Sequence, residues 1–576
     1  MKRVAPRLVV VGLGLAALGL GCNPADPGGS PDGSGGSSSG GSSGSGSGGK
    51  TASGGSSASG GSSSSSGGSS SSSGGSSSSS GGSSASGGSS SSSGGSSASG
   101  GSSSSSGGSS GSGSGGKTSS GGSSASGGSS SASGGATGNG GSGNGGSSSG
   151  SGGSSSGSCT VTAMATMSSK IPTVGIVTFT SSASKLKEAH IDFGLDTMYG
   201  MTAPVDLAEP SYRTLLLGMK ASKMYHFRVV AKDDGGATCM GADQTIMTGA
   251  LANGLAKIKV TTNDKTKLFG GFLILGQYVQ NAGASGAPAY ILDADGDYVW
   301  WYAPGGDVTG ARMSHDGKHM WMNAANVPNS SAKVRRVTMD GMTVDDYSSQ
   351  FSGQNHQMTV LPDGTIAFYA YGSGGCDDIK ERSPSGTIKT IVNSGTVWGA
   401  SGACHVNTIQ YSSMDDSLVF SDLDHQVVVK ITRAGKLVWV LNGSSSTFKG
   451  DGWKGGEHGV HILGLDSFLI FNNNTAGGGV GASGGSGDGS IALEMKLDLT
   501  AKTSKIMWMY KSNIQNDIMG DVQRLPNGNT VVGFSTQGVL QEVDADKKVL
   551  QELTWPAGAS FGYIEKRATL YGPPPK

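Results

Sequence analysis

Ile291-Leu-Asp-Ala-Asp-Gly-Asp-Tyr-Val-Trp300 reads as strand, tight turn and strand, with apolar residues flanking an Asp/Gly turn. The unit recurs as Val337-Thr-Met-Asp-Gly-Met-Thr-Val344, Glu381-Arg-Ser-Pro-Ser-Gly-Thr-Ile388 and Lys430-Ile-Thr-Arg-Ala-Gly-Lys-Leu-Val-Trp439. It appears twice more, as Lys496-Leu-Asp-Leu-Thr-Ala-Lys-Thr503 and Glu542-Val-Asp-Ala-Asp-Lys-Lys-Val549. The turn centres fall near 295, 340, 385, 434, 501 and 545, a period close to 45 except where the Gly-rich insertion 476–490 lengthens one interval. Repetition at this period signals an array of like units.

A second hairpin interleaves with the first, at Val360-Leu-Pro-Asp-Gly-Thr-Ile366, Ser413-Met-Asp-Asp-Ser-Leu418, Gly464-Leu-Asp-Ser-Phe468 and Arg524-Leu-Pro-Asn-Gly-Asn529, and more loosely at His315-Asp-Gly-Lys318. Two hairpins per period make a four-stranded blade, so residues 255–571 are expected to form an all-β, six-bladed β-propeller. Trp300, Trp439 and Trp508 follow their turns at similar offsets, as blade-to-blade packing requires. The run Asp293, Asp295, Asp297 resembles a calcium loop only faintly, since Tyr298 stands at its sixth position and no Glu closes it; turn chemistry accounts for it.

Upstream, 159–250 alternates apolar and polar residues in short runs. Leu215 precedes Tyr225-His-Phe-Arg-Val-Val-Ala231, a strand whose first residue resembles the tyrosine corner of fibronectin type III sandwiches. Residues 23–158 are a Gly/Ser-rich linker that cannot bury apolar surface; a flexible chain of this length spans roughly 60 Å r.m.s.. Within it, Gly44 to Thr51 and Gly111 to Thr118 match a phosphate loop literally, but lack the flanking strand and helix that such a loop needs. Residues 1–22 carry Lys2, Arg3 and Arg7 before an apolar run from Leu8 to Leu20. The run ends at Leu18-Gly19-Leu20-Gly21-Cys22, which resembles a bacterial lipoprotein signal with Cys22 as the lipidated residue; an ordinary secretory signal is the alternative. The implied location is exported and lipid-anchored, on the periplasmic or outer-membrane/cell-surface side.

Export predicts disulfides, and the placement of the cysteines within each domain pairs Cys159 with Cys239 and Cys376 with Cys404. Without Lys2, Arg3 and Arg7 the balance is 37 basic to 40 acidic residues, which argues against a general nucleic-acid binder.

Three histidines fall in phase with the repeat. His356 lies seven residues before Asp363, His405 eleven before Asp416 and His458 eight before Asp466, each where an innermost strand should begin. Asp521 holds the like position in the next unit. A lone histidine at a strand end is most often a satisfied polar residue; three in phase point to a cluster at one mouth of the channel. His425, His461 and Arg524 are candidate supporting residues, and His315 and His319 are expected to be exposed. Such a cluster could bind zinc, or could run nucleophilic and acid–base chemistry with no metal and no cofactor; spacing leaves both open.

The stretches His405-Val-Asn-Thr-Ile-Gln-Tyr411, Asp415-Asp-Ser-Leu-Val-Phe-Ser421, His425-Gln-Val-Val-Val-Lys-Ile431, Gly435-Lys-Leu-Val-Trp-Val-Leu-Asn-Gly443 and Glu457-His458 resemble the bacterial aryl-sulfate sulfotransferases. So do Phe468-Leu-Ile-Phe-Asn-Asn473, Gly520-Asp-Val-Gln523 and Tyr563-Ile-Glu-Lys-Arg567. The resemblance implies ping-pong transfer of a sulfuryl group from a phenolic sulfate donor to a phenol acceptor, without a nucleotide donor. In it His458 is the transiently sulfated nucleophile, and His405 and His356 steady the sulfuryl oxygens and assist the phenolic oxygen. A homodimer remains open. One departure stands out: the family carries an Arg just before the dipeptide matching His425-Gln426, and here the residues are Leu423 and Asp424. Either Arg524, Arg312 or Arg433 substitutes, or the substrate differs, or the chain is a catalytically inactive propeller used as a binding or adhesion module.

Overall fold

The computed structural model describes residues 159–278, 287–325, 333–477 and 484–574. The signal segment, Cys22 and the linker lie outside the described residues. Among those described, regular structure is nearly all strand, with four short 3-10 turns. No described helix is long and apolar enough to cross a membrane.

The first strands are β1 (Val161–Met167), β2 (Gly175–Ser181), β3 (Leu186–Gly194), β4 (Met201–Pro204), β5 (Thr214–Leu216), β6 (Met224–Asp233), β7 (Thr238–Met240) and β8 (Gln244–Met247). They form two sheets, β1-β2-β5 and β4-β3-β6-β7, with β8 also on β6. Alternation along the strands buries Val177, Phe179, Ile191, Phe193, Tyr225, Phe227 and Val229 between them. Cys159 and Cys239 are bonded, as are Cys376 and Cys404. The Tyr225 hydroxyl accepts the Lys220 N–H at 2.8 Å.

Six further sheets follow. In chain order the strands are β9 (Lys259–Asn263), β10 (Phe272–Tyr278), β11 (Ala289–Leu292), β12 (Tyr298–Tyr302), β13 (Asp307–Met313), β14 (His319–Ala325), β15 (Lys333–Thr338), β16 (Val344–Asp346), β17 (Gln354–Val360), β18 (Ile366–Tyr371), β19 (Asp377–Arg382) and β20 (Ile388–Asn393). The remainder are β21 (Val406–Ser412), β22 (Ser417–Asp422), β23 (Val427–Thr432), β24 (Leu437–Leu441), β25 (Lys449–Gly450), β26 (Glu457–Gly464), β27 (Ser467–Asn472), β28 (Ile491–Asp498), β29 (Thr503–Lys511), β30 (Asp521–Arg524), β31 (Thr530–Phe534), β32 (Val539–Val543), β33 (Val549–Thr554) and β34 (Ser560–Arg567).

The sheets are β34-β10-β11-β12, β13 to β16, β17 to β20, β21 to β24, β26 to β29 with β25 on its edge, and β30 to β33 with β9 on its edge. Every turn of the first repeat joins the two outer strands of a sheet, and every turn of the second joins the two inner ones. The first sheet has no second turn because its inner strand comes from the far end of the chain, pairing Leu273 with Lys566 and Tyr278 with Ser560. Each inner strand touches the next: β34 to β13, β13 to β17, β17 to β21, β21 to β26, β26 to β30, and β30 to β34. Trp300 is buried, and its Nε1 donates to the Met339 carbonyl of the second sheet at 2.8 Å. His315 and His319 are half-buried rather than exposed, because the His315 Nε2 reaches the Val360 carbonyl of the third sheet.

The small sandwich packs on the first two of these sheets. Ile171, Val174 and Leu217 enter one core with Ile291, Trp300 and Met339. The Asp293, Asp295 and Asp297 carboxylates converge on the Lys220 Nζ from the sandwich, at 3.0, 2.7 and 2.7 Å. The run read as turn chemistry therefore also clamps the N-terminal pair of sheets to the first of the six. Burial disfavours the ammonium, and the three carboxylates outweigh it and raise its pKa. Lys220→Met leaves three facing carboxylates uncompensated; a loss of about 1–2 kcal/mol is expected for so partly exposed a cluster. Scanning calorimetry checks this, and Lys220→Arg is expected to retain most of the stability.

Candidate functional site

Five of the inner strands carry a register shift near their first residues. Register with the second strand shifts between Val308 and Gly310, Gln354 and Met358, Val406 and Ile409, Glu457 and Val460, and Phe561 and Ile564. A bulge leaves a residue unpaired and re-aims its side chain. His356 and His458 lie inside such bulges, and His405 immediately precedes β21. His356 has φ 36°, a left-handed backbone that costs a non-glycine residue on the order of 1 kcal/mol. Its carbonyl is held by the Thr309 hydroxyl at 3.2 Å and the Asn323 amide at 2.9 Å. Beside His458, Gly459 permits the close approach of β30, since a Cβ there would overlap Asp521.

The structure brings the three histidines together. The His356 and His405 rings meet edge to face at 5.5 Å. Burial pushes His458 down to about 3, with the charge of His405 adding to the effect and the Asn473 bond opposing it. Burial likewise holds His356 well below the ordinary imidazole value, with His405 and His458 contributing. Burial lowers His405 as well, against the pull of Asp424 and Asp422, so the charged form is disfavoured at all three imidazoles.

Which His458 nitrogen is free follows from Asn473. The Asn473 Nδ2 donates to the carbonyls of Asn516 and Met519 at 2.6 and 2.9 Å, so its Oδ1 faces His458. The His458 Nδ1–H donates to that oxygen at 2.6 Å, which leaves the Nε2 lone pair unprotonated. Asn473 has no sequence signal apart from its place in the Phe468–Asn473 match.

Carboxyl groups surround His405. Asp422 accepts the His405 N–H at 3.0 Å and the His425 Nδ1–H at 2.9 Å. The His425 Nε2 faces the Ser401 carbonyl at 3.0 Å. Burial opposes the charge of His425, but Ser401 and Asp422 outweigh it and raise the pKa. Burial lifts Asp377 to about 7 although it accepts the Val406 N–H, with Asp422 adding to the rise. Burial also lifts Glu457 well above the carboxylate range. Asp521 accepts the N–H groups of Val522 and Ile564, both at 2.9 Å, and burial raises it to about 6 against the pull of Arg312.

His461 is half-buried and held at about 4, first by burial and then by Arg524 and Arg312; its Nδ1 accepts the Arg524 N–H at 3.1 Å. The Arg524 side chain is not brought to the trio. It pairs with Glu494 at 2.7 Å and lies over Trp508. Arg433 pairs with Glu381 and Asp416. Arg312, on β13, donates to the Ile564 carbonyl at 2.9 Å and lies 3.9 Å from Asp521. Leu423 is buried and Asp424 half-buried beside His405. Two groups of side chains have metal-ligand proximity among the described residues. In one, Cys404 is already bonded to Cys376; in the other, the aspartates hold Lys220.

Residues 383–563 match the family model described as Arylsulfotransferase (ASST). The matched segment contains His405, Asp424, His458, Asn473 and Asp521, and His356 lies upstream of it. No curated protein matches the chain. Among solved structures, TolB from Acinetobacter baumannii overlaps with a TM-score of 0.36 and 11% identity, over 60% of this chain and 81% of that one. A nidogen/laminin complex gives 0.36 and 10% over 51% and 97%. Hydrazine synthase from Kuenenia stuttgartiensis gives 0.31 and 10% over 57% and 91%. Overlap this loose adds nothing to the argument.

Nitrogen NMR of labelled histidine tests the site without any substrate. His458 is expected to remain neutral, in its Nδ1–H form, from pH 7 to pH 5, where an ordinary imidazole would take up its proton. In Asn473→Ala the Nε2–H form is expected to become populated.

Proposed function

We propose that the chain is a cell-envelope arylsulfotransferase that moves a sulfuryl group from a phenolic sulfate ester to a phenol through a sulfated histidine. The observation that carries the reading is the free Nε2 of a neutral, buried His458 beside His405 and His356, within or next to a segment that matches the ASST model. In this reading the six sheets are the blades of a propeller over 255–571, behind a fibronectin-like sandwich over 159–250. The strand order β1-β2-β5 against β4-β3-β6-β7 supports the latter. The linker 23–158 tethers both to a lipid on Cys22, at the periplasmic or cell-surface side.

The chemistry follows from the protonation states. The Nε2 lone pair of His458 attacks the donor sulfur, forming an N–S bond as the bond from sulfur to the aryl oxygen breaks, and the phenolate leaves. The N–H group of His405 donates to a sulfuryl oxygen, where negative charge is spread; that of His356 is held on Nδ1 by the Asn355 side-chain oxygen, which leaves its Nε2 as an acceptor. In the second half, an acceptor phenol passes its proton to the unprotonated Nε2 of His356 as its oxygen attacks sulfur. The N–S bond then breaks, and His458 regains its lone pair. Because burial keeps His458 neutral far below pH 6.5, an acidic medium does not silence the nucleophile.

Release of nitrophenolate from 4-nitrophenyl sulfate tests this. Release is expected to need a phenol acceptor and to fall by at least a thousandfold in His458→Ala, in line with loss of a covalent nucleophile. Protonation of His458 is not expected to reduce kcat/KM between pH 7 and pH 5. Acceptor-independent release would identify a sulfatase instead. A folded protein with no release would favour the binding module, which the carboxylate at position 424 otherwise supports.

A further inference from the structure

The turn from Asp422 to Gln426 lies at the same end of its sheet as His405. Val406 pairs with Asp422, and the Leu423 N–H donates to the His405 carbonyl at 2.9 Å. This puts Asp424 beside His405, half-buried. Asp422 is occupied by the His405 N–H and the His425 ring, whereas Asp424 has no hydrogen-bond or ion-pair partner among the described residues. The charges that reach Asp424 are those of His405, Asp422 and His425, with no Lys or Arg among them. The charge of His425 is already committed, through its Nδ1 to Asp422 and its Nε2 to Ser401.

An aromatic ring stands on the other side of His425. Trp398 meets it edge to face at 4.9 Å. Trp398 belongs to the segment that leads into the Cys376–Cys404 disulfide and so into His405. The Trp398 Nε1 and the His405 Nε2 are both buried without a hydrogen-bond partner. Asp424 thus stands beside His405 without a Lys or Arg counter-ion, and Trp398 lies against the neighbouring His425, half-buried on the core of the fourth sheet. A sulfuryl group would be repelled there. An ammonium group is attracted both by a carboxylate in a partly desolvated site and by the face of an indole.

We propose that Asp424 and Trp398 form a subsite for a cationic substituent on the aromatic substrate, so that the acceptor class is a phenol bearing an ammonium group. The inference rests on the transfer reading above for the word acceptor, and on the geometry alone for the binding. The position where an anion-binding guanidinium was expected is then a specificity determinant of opposite sign. The sulfuryl group sits against the histidines, and the ammonium sits against Asp424.

Three isosteric phenols separate the possibilities: 4-(aminomethyl)phenol, 4-(hydroxymethyl)phenol and 4-hydroxybenzoate. The full chain is titrated with each by calorimetry in the absence of donor, and each is then used as acceptor with 4-nitrophenyl sulfate. The aminomethyl compound is expected to bind, and to react by kcat/KM, about tenfold or more better than the hydroxymethyl one, with the benzoate last. Asp424→Asn is expected to bring the three close to parity, and Asp424→Arg to favour the benzoate. Trp398→Leu is expected to weaken the cation more than the neutral phenol. Charge-ordered binding without turnover would keep the subsite and remove the transfer reading. Equal binding of the three phenols by the unmodified chain would overturn the subsite whether or not transfer occurs. So would a preference that survives unchanged in Asp424→Asn.

Discussion

Side-chain hydrogen bonds between neighbouring inner strands hold this structure in register. Thr309 on β13 bonds the His356 carbonyl, and Gln357 on β17 accepts the Ile409 N–H of β21. Asn407 bonds the Glu457 carbonyl, and the His461 ring takes the Arg524 N–H. Asp521 takes the Ile564 N–H, and Arg312 bonds the Ile564 carbonyl. Each link satisfies backbone that a bulge or a strand start would leave unpaired in a buried place, where an unmade bond costs about 1–3 kcal/mol. Glycines keep the strands close enough for this, since a Cβ at Gly562 would overlap Thr309.

That constraint sets the chemistry of the mouth. Bulges aim His356 and His458 inward, and the packing around them removes water. The imidazoles lose their charge, and the Asn473 amide selects the tautomer of His458. Burial also raises the acids around His405, so Asp377 and Glu457 contribute less negative charge at neutral pH than their number suggests. Of Arg312, Arg433 and Arg524, Arg312 is the one whose side chain stays among the inner strands, and it sits on the Asp521 side. The site is consequently polarised, with a guanidinium at one edge and the Asp424 carboxylate at the other.

Much of the strand order is legible in the sequence because hairpins are local. Asp293 to Asp297, Met339 to Thr343 and Asp544 to Lys548 announce their turns by Asp, Gly and polar residues, and the phase of the histidines follows by counting from them. The pairing of Leu273 with Lys566 is a contact between distant parts of the chain and carries no local signal. Bulges are equally silent, since the extra residue at His356 obeys no alternation. Asp293, Asp295 and Asp297 look alike whether they serve a turn, a cation or a lysine, and only the fold brings Lys220 to them. Arg524 is a candidate by sequence, three residues after Asp521 on one strand, but its side chain is drawn outward by Glu494 and Trp508.

The most direct test of the account is the intact mass of the full chain after exposure to 4-nitrophenyl sulfate with no acceptor present, followed by peptide mapping. The account predicts one sulfuryl group per chain, on the peptide containing His458, removed when a phenol is added. An unmodified chain, or a sulfuryl group on any other residue, would contradict it.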